Sequence, residues 1–216
     1  MFQLMDEGRK IWLMTDPPNY EPNPEDSLNA QAVARGLDPW SYIYDVLLQN
    51  NGRALLYTPF ANYAQNNLDC CRDMILHKDT VMGLGDGGAH VGTICDASFI
   101  TSLITHWGRD RVRGEKIDLP TLIKCQSRDT ARAVDLTDRG TLEPGMKADV
   151  NIIDFENLSV RLPEIVNDLP AGGARLQQRA KGYLMTIVNG EPTYIEGEET
   201  DSLPGRLVRK TGADSK

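Results

Sequence analysis

The chain has 216 residues, 40% of them hydrophobic and 25% charged, an ordinary globular composition with enough apolar material for a sizeable core in one or two domains. Twenty-three Lys and Arg stand against 31 Asp and Glu, a net charge of −8, and no basic run is interleaved with aromatics; nucleic acid and anionic membranes are therefore not expected as partners. No apolar stretch approaches the roughly 18 residues needed to span a bilayer, and the start MFQLMDEGRK lacks the basic-then-apolar build of a signal peptide, so a soluble, cytoplasmic protein is expected.

Ile11 to Thr15 (IWLMT) is a short apolar run ended by Pro17-Pro18 and followed by a loop rich in Pro, Asn and Glu through Ser27. Asp38-Pro39 opens a helix in which Asp38 is placed to cap, Pro39 sits in the first turn and Ile43, Val46 and Leu47 form the apolar stripe; Gly52 ends it. RALLYTPF is the next strand candidate, Leu68, Cys71, Met74 and Ile75 line the next helix, and TVMGLGD follows as a third strand, a βαβ order that predicts parallel pairing. The four cysteines form no C-x-x-C pair. Cys70 and Cys71 are adjacent and would make a strained disulfide with each other, so free thiols are expected.

Beyond a glycine-rich loop, Asp96 is placed to cap a helix whose apolar face is Phe99, Ile100, Leu103, Ile104 and Trp107. Another helix covers about Leu119 to Val134. From Arg139 the texture changes to RGTLEPGMKADVNIID, short β-rich runs separated by Gly and Pro, and Asn189-Gly190 between YLMTIV and PTYI signals a hairpin. A domain boundary is expected near Asp138, with α/β material in 1–138 and a small β-rich domain in 139–216.

The glycine-rich loop raises a question of chemistry. Gly83-Leu84-Gly85-Asp86-Gly87-Gly88 satisfies the G-x-G-x-x-G pattern of dinucleotide-binding turns. Two features oppose that reading. Asp86 sets a carboxylate where a pyrophosphate would lie, and after Trp107 the chain offers the charged stretch GRDRVRGEKIDLP instead of a second strand with an acidic ribose-binding residue. At the carboxyl end of a barrel strand, by contrast, a carboxylate with small neighbours suits a metal ligand or a general base, while a structural Asp capping its own turn is the plainer alternative.

Three longer stretches carry a resemblance: GLGDGGAHVGTICDASFITSLITHW, RDTARAVDLTDRGTLEPGMKADVNIIDF, and VNDLPAGGARLQQRAKGYLMTIVNGEPTYIEGEETDSLPGRLVR. Together they resemble the carboxyl-terminal half of the N-acyl-D-amino-acid deacylase (D-aminoacylase) family of the amidohydrolase superfamily. RGTLEPGMKADVNIID looks superfamily-wide; DGGAH and PGRLVR are narrower. The resemblance implies an α/β fold, the carboxyl-terminal part of a (β/α)8 TIM-type barrel followed by a small β-sandwich-like domain. It also implies a metal-dependent hydrolase of amide bonds in N-acyl (D-)amino acids or related compounds.

On the same resemblance, Asp86 is the catalytic carboxylate and a ligand of the metal, and His90, four residues on, is a substrate-binding residue. Gly85 stands where the family usually has Ser, which removes a hydroxyl from the neighbourhood of that carboxylate. His77, His106, Asp96 and Arg175 read as surface, packing, capping and structural residues respectively. The H-x-H pair and the further His ligands that hold zinc in the family belong to an amino-terminal half this sequence lacks, and His77, His90 and His106 do not replace them. Three candidate strands, at Ile11, Ala54 and Val81, fall short of the eight that close a barrel. The chain is accordingly expected to be inactive alone and to work with its missing amino-terminal half or another chain, on a small-molecule amide substrate. The alternative is a non-catalytic or truncated barrel fragment acting only as an association module.

Overall fold

The computed structural model of the protein describes residues 10–59, 61–83, 85, 91–93 and 98–208. Helices and sheets are mixed along the chain, which divides into two compact units, Met1–Met74 and Ile75–Lys216. The boundary expected near Asp138 falls inside the second unit, between its last helix and its first strand.

In the first unit, strand β1 (Trp12–Leu13) pairs with β2 (Leu56–Tyr57). Between them lie helix α1 (Leu28–Ala34), started by Ser27, whose hydroxyl accepts from Ala30 N at 3.2 Å, and helix α2 (Pro39–Leu47). Asp38 caps α2 as its sequence position foretells: the carboxylate accepts from Ser41 N at 2.8 Å, and Pro39 takes the first turn, where its missing N–H costs nothing. A short turn α3 (Gln49–Gly52) follows, with Asn50 and Asn51 left-handed at φ 53° and 57°. The core joins Ile11, Leu28, Ile43 and Val46 under Tyr42 and Leu56; each such aliphatic side chain contributes roughly 1.5–3 kcal/mol on burial. Helix α4 (Asp69–Leu76) runs across the division between the units.

The parallel strand–helix alternation is not what forms in the described residues. β1 and β2 pair antiparallel, with Trp12 opposite Tyr57 and Leu13 opposite Leu56, and Val81–Gly83 belong to no strand. The physical reason is that an apolar run such as IWLMT or RALLY signals burial but carries no information on the direction of its partner. Pro59, two residues past β2, has no N–H to extend the ladder.

In the second unit, helix α5 (Phe99–Ser102) continues as a wider π-helical segment, Leu103–Asp110. Leu103, Ile104 and Trp107 are buried along the face predicted for it, while Ile100 is 40% exposed. Helix α6 (Leu119–Lys124), a π-helical stretch Cys125–Asp129 and helix α7 (Thr130–Ala133) follow as one run, matching the helix expected over 119–134. Asp118 caps that run, accepting from Thr121 N at 2.9 Å.

The remainder is β-rich. Strands β3 (Val150–Ile153), β8 (Tyr183–Val188), β9 (Glu191–Ile195) and β10 (Glu198–Glu199) form an antiparallel sheet in the order β10-β9-β8-β3. β4 (Ser159–Val160) pairs with β7 (Ala180–Lys181), and β5 (Glu164–Leu169) with β6 (Gly173–Gln177), both antiparallel. The predicted hairpin is present: Val188 sits opposite Glu191, and Asn189 and Gly190 turn the chain at φ 56° and 87°, the pair of positive values that a type I′ turn requires.

Candidate functional site

Asp86 and His90, the two residues assigned chemical roles from the sequence, lie outside the described residues, as does Asp96. Gly85 and residues 91–93, on either side of the DGGAH sequence, are described. On its far side, Val91 O accepts from Leu176 N of β6 at 2.7 Å. At the start of α5, Ser98 Oγ donates to Gln178 Oε1, and Thr101 Oγ1 lies 2.9 Å from Tyr183 OH, so helix α5 is tied to strand β8.

The other histidines hold the plain roles expected of them. His77 is exposed and its Nδ1 accepts from Asp79 N at 3.2 Å; His106 packs edge-on against Trp107 with ring centres 5.0 Å apart. Arg175 is structural as well. Its Nε and Nη2 reach the two Asp168 oxygens across the β5–β6 hairpin at 2.7 and 2.6 Å, and this pairing holds the Asp168 carboxyl below the usual carboxylate range. Cys70, Cys71 and Cys125 form no disulfide, and Cys70 Sγ donates to Asn62 O at 3.3 Å. Among the described residues no group of three or more His, Cys, Asp and Glu is placed to hold a metal ion, so the described part of the chain does not by itself furnish a metal centre.

Sequence reasoning passed over two features of the second unit. Arg109, at the end of the π-helical segment, points into the β3–β4 connection: Nη1 donates to the carbonyls of Phe155 and Glu156, Nη2 to Leu158 O at 2.7 Å, and Nε to Asp110 at 2.6 Å. The hydrogen bond to Asp110 raises its already high pKa further. The second feature is a cavity of about 440 Å³ walled by Ile100, Ile104 and Ile123 from the helices and by Leu142, Val150 and Ile153 from the β-rich segment. Its signal in the sequence is Gly140, at φ 88°, where a Cβ would stand 2.7 Å from Arg128 Cα. Only glycine lets residues 140–142 press this closely on the helix backbone.

Comparison with known proteins supplies the class. The sequence model described as the amidohydrolase family matches residues 14–194, which takes in both units. The chain belongs to the amidohydrolase family. A solved structure of D-aminoacylase, reported for the functional role of its binuclear metal center, is similar at 19% identity with a TM-score of 0.47, over 89% of this chain and 36% of that one. The chain thus spans 36% of the length of that relative. No described helix is long and apolar enough to cross a membrane.

Proposed function

We propose that this chain is the carboxyl-terminal portion of a metal-dependent amidohydrolase that cleaves the amide bond of N-acyl (D-)amino acids or related compounds. The observation that carries the proposal is the family match over residues 14–194, which runs through the sequence DGGAH. Asp86 is the proposed catalytic carboxylate: with a reference pKa of about 4 it is a base at neutral pH without special tuning. It takes a proton from the water that attacks the amide carbonyl and returns it to the leaving nitrogen, so that the C–N bond breaks to a carboxylic acid and an amine. His90 is proposed to bind the substrate. Asp86 would also be one ligand of a divalent ion, zinc in this proposal, whose other ligands would come mostly from the amino-terminal half of the complete enzyme and which, when bound, would supply Lewis-acid polarisation of the carbonyl. The (β/α)8 barrel with an added β-sandwich enters as the architecture proposed for the complete enzyme, since the described strands of this chain pair antiparallel.

The test is release of free amine from matched N-acetyl-D- and N-acetyl-L-amino acids by the complete gene product supplied with zinc. Asp86→Asn keeps the size and removes the base, and it is expected to lower kcat by about a hundredfold or more with an unchanged circular-dichroism spectrum. Equal activity in the Asn variant overturns the role of Asp86. No hydrolysis of any member of the panel overturns the amidohydrolase proposal and leaves association as the function of the chain.

A further inference from the structure

Helix α2 carries apolar side chains on more of its circumference than the core of the first unit uses. Ile43 and Val46 are the buried residues that join that core. At 100° per residue, Trp40, Tyr44 and Leu47, with Leu48 at the cap, fall at i, i+4, i+7 and i+8 on a second flank, turned away from Asp45. All four are between 38% and 62% exposed. Large side chains present roughly 150–250 Å² each when fully open, so this flank leaves about 400 Å² of apolar surface in water. A contiguous apolar patch of that size marks an interaction surface more often than chance.

The sequence of the flank fits a second copy of itself. Residue 44 is the midpoint of 40 and 48, so a two-fold axis at Tyr44, with the helices antiparallel, sets Trp40 of each copy beside the partner's Leu48 and brings the two Tyr44 rings together at the centre. Side chains four apart form the ridge by which helices commonly pack on one another. Charge favours the same direction. Asp38 is exposed at the start of α2, and Arg53 is exposed one turn past its end, its N–H donating to Gln49 O at 3.3 Å. Antiparallel helices bring Asp38 of one copy toward Arg53 of the other, whereas parallel ones align like with like. Area agrees as well: a standard interface takes roughly 800 Å² from each partner, a little over half of it apolar, and the flank supplies close to that apolar share.

We propose that this flank of α2 is a self-association surface, through which two copies of the chain pair by antiparallel packing of their α2 helices with Trp40 and Tyr44 as the anchors. The pairing is independent of the Asp86 chemistry, so either reading stands if the other fails.

The chain carries its own reporter. Of its three tryptophans, Trp12 and Trp107 are buried and Trp40 is open, so a blue shift of the emission on raising the protein concentration records the covering of Trp40. Sedimentation velocity and emission spectra, followed together from low to high micromolar concentration, are expected to show a monomer–dimer equilibrium with that shift. Tyr44→Glu sets two carboxylates at the axis and is expected to raise the dimer Kd about thirtyfold or more, with circular dichroism and thermal unfolding of the dilute protein unchanged. Leu48→Lys is expected to act likewise and decides the matter should Tyr44→Glu fold poorly. Trp40→Phe keeps an aromatic anchor, and is expected to dimerise without the emission shift. Ile165→Glu, at an exposed position of β5, is expected to leave the Kd as it was. A chain that stays monomeric over the whole range overturns the proposal. So does a dimer that survives a folded Tyr44→Glu or Leu48→Lys variant, one that forms with no emission shift, or one whose shift persists in Trp40→Phe.

Discussion

The close approach of residues 140–142 to the helix that carries Gln126 allows a quantitative test by comparing two glycines. Gly140 and Gly145 both have positive φ, 88° and 94°, but their surroundings differ: a Cβ at Gly140 would stand 2.7 Å from Arg128 Cα and 3.0 Å from Arg128 N, whereas one at Gly145 would meet nothing within 4 Å. Alanine at Gly145 therefore incurs only the backbone penalty of a left-handed conformation, about 1–2 kcal/mol. Alanine at Gly140 incurs that penalty and also pushes a methyl group into backbone that has no rotamer with which to yield, a further cost of about 1–3 kcal/mol. The expected losses are thus about 1–2 kcal/mol for Gly145→Ala and about 2–5 kcal/mol for Gly140→Ala. For a chain of this size each kcal/mol moves the midpoint by roughly 2–4 °C. Gly140→Ala is expected to lower the midpoint by about 10 °C and Gly145→Ala by about 4 °C. Thermal unfolding followed by far-ultraviolet circular dichroism measures both. Should Gly140→Ala lose no more than Gly145→Ala, the packing of residues 140–142 against the helix is refuted.

Three further outcomes are expected. Tyr63→Phe removes the hydroxyl that donates to Pro22 O at 2.5 Å in a fully buried position, so about 1–3 kcal/mol should be lost in urea titration; a neutral result would mean that this carbonyl is satisfied elsewhere. Arg109→Ala frees the Phe155, Glu156 and Leu158 carbonyls, and hydrogen exchange should quicken in the β3–β4 connection while protection of β9 is unchanged; equal exchange in both would place the clamp elsewhere. Asp118 has its carboxyl pKa lowered from 3.8, chiefly by the backbone N–H of Thr121. Because the folded value is the lower one, its stabilising effect is present above about pH 4 and fades as pH falls through the folded pKa. Asp118→Asn keeps a capping oxygen but does not titrate, and acid unfolding below about pH 4 should become shallower; an unchanged slope would show that the cap carries no pH dependence.

What the sequence made legible was local chemistry. Asp38 before Pro39 is a helix start because a short carboxylate accepts from the third residue on, and Asn189-Gly190 is a hairpin because both residues tolerate positive φ; neither inference needs knowledge of the rest of the fold. The stripe of Leu103, Ile104 and Trp107 was legible for the same reason, since helical spacing fixes which side chains share a face. Pairing direction was not, and β1 with β2 is the instance: two apolar dipeptides more than forty residues apart meet antiparallel, and nothing within either run encodes the other. Arg109 and Gly140 were equally silent, because their roles depend on what lies opposite them, the carbonyls of 155–158 and the backbone of 127–128. Of the site, the glycine-rich motif could be argued away from phosphate by the charge of Asp86 and by the charged stretch that follows Trp107 in place of a strand, whereas the cavity exists only once helix and sheet have been brought together.

The order of the four-stranded sheet has a consequence for how the molecule behaves in a crowded solution. β10, at one margin of that sheet, consists of Glu198 and Glu199, both exposed. A second molecule adding a strand there would set its own backbone beside two acids, and two copies meeting margin to margin would bring four carboxylates together on chains that each already carry a net charge of −8. That margin is shielded against fibril-like growth by charge and by its two-residue length. Salt, which screens such repulsion over about 10 Å at 0.1 M, is what would weaken the shield.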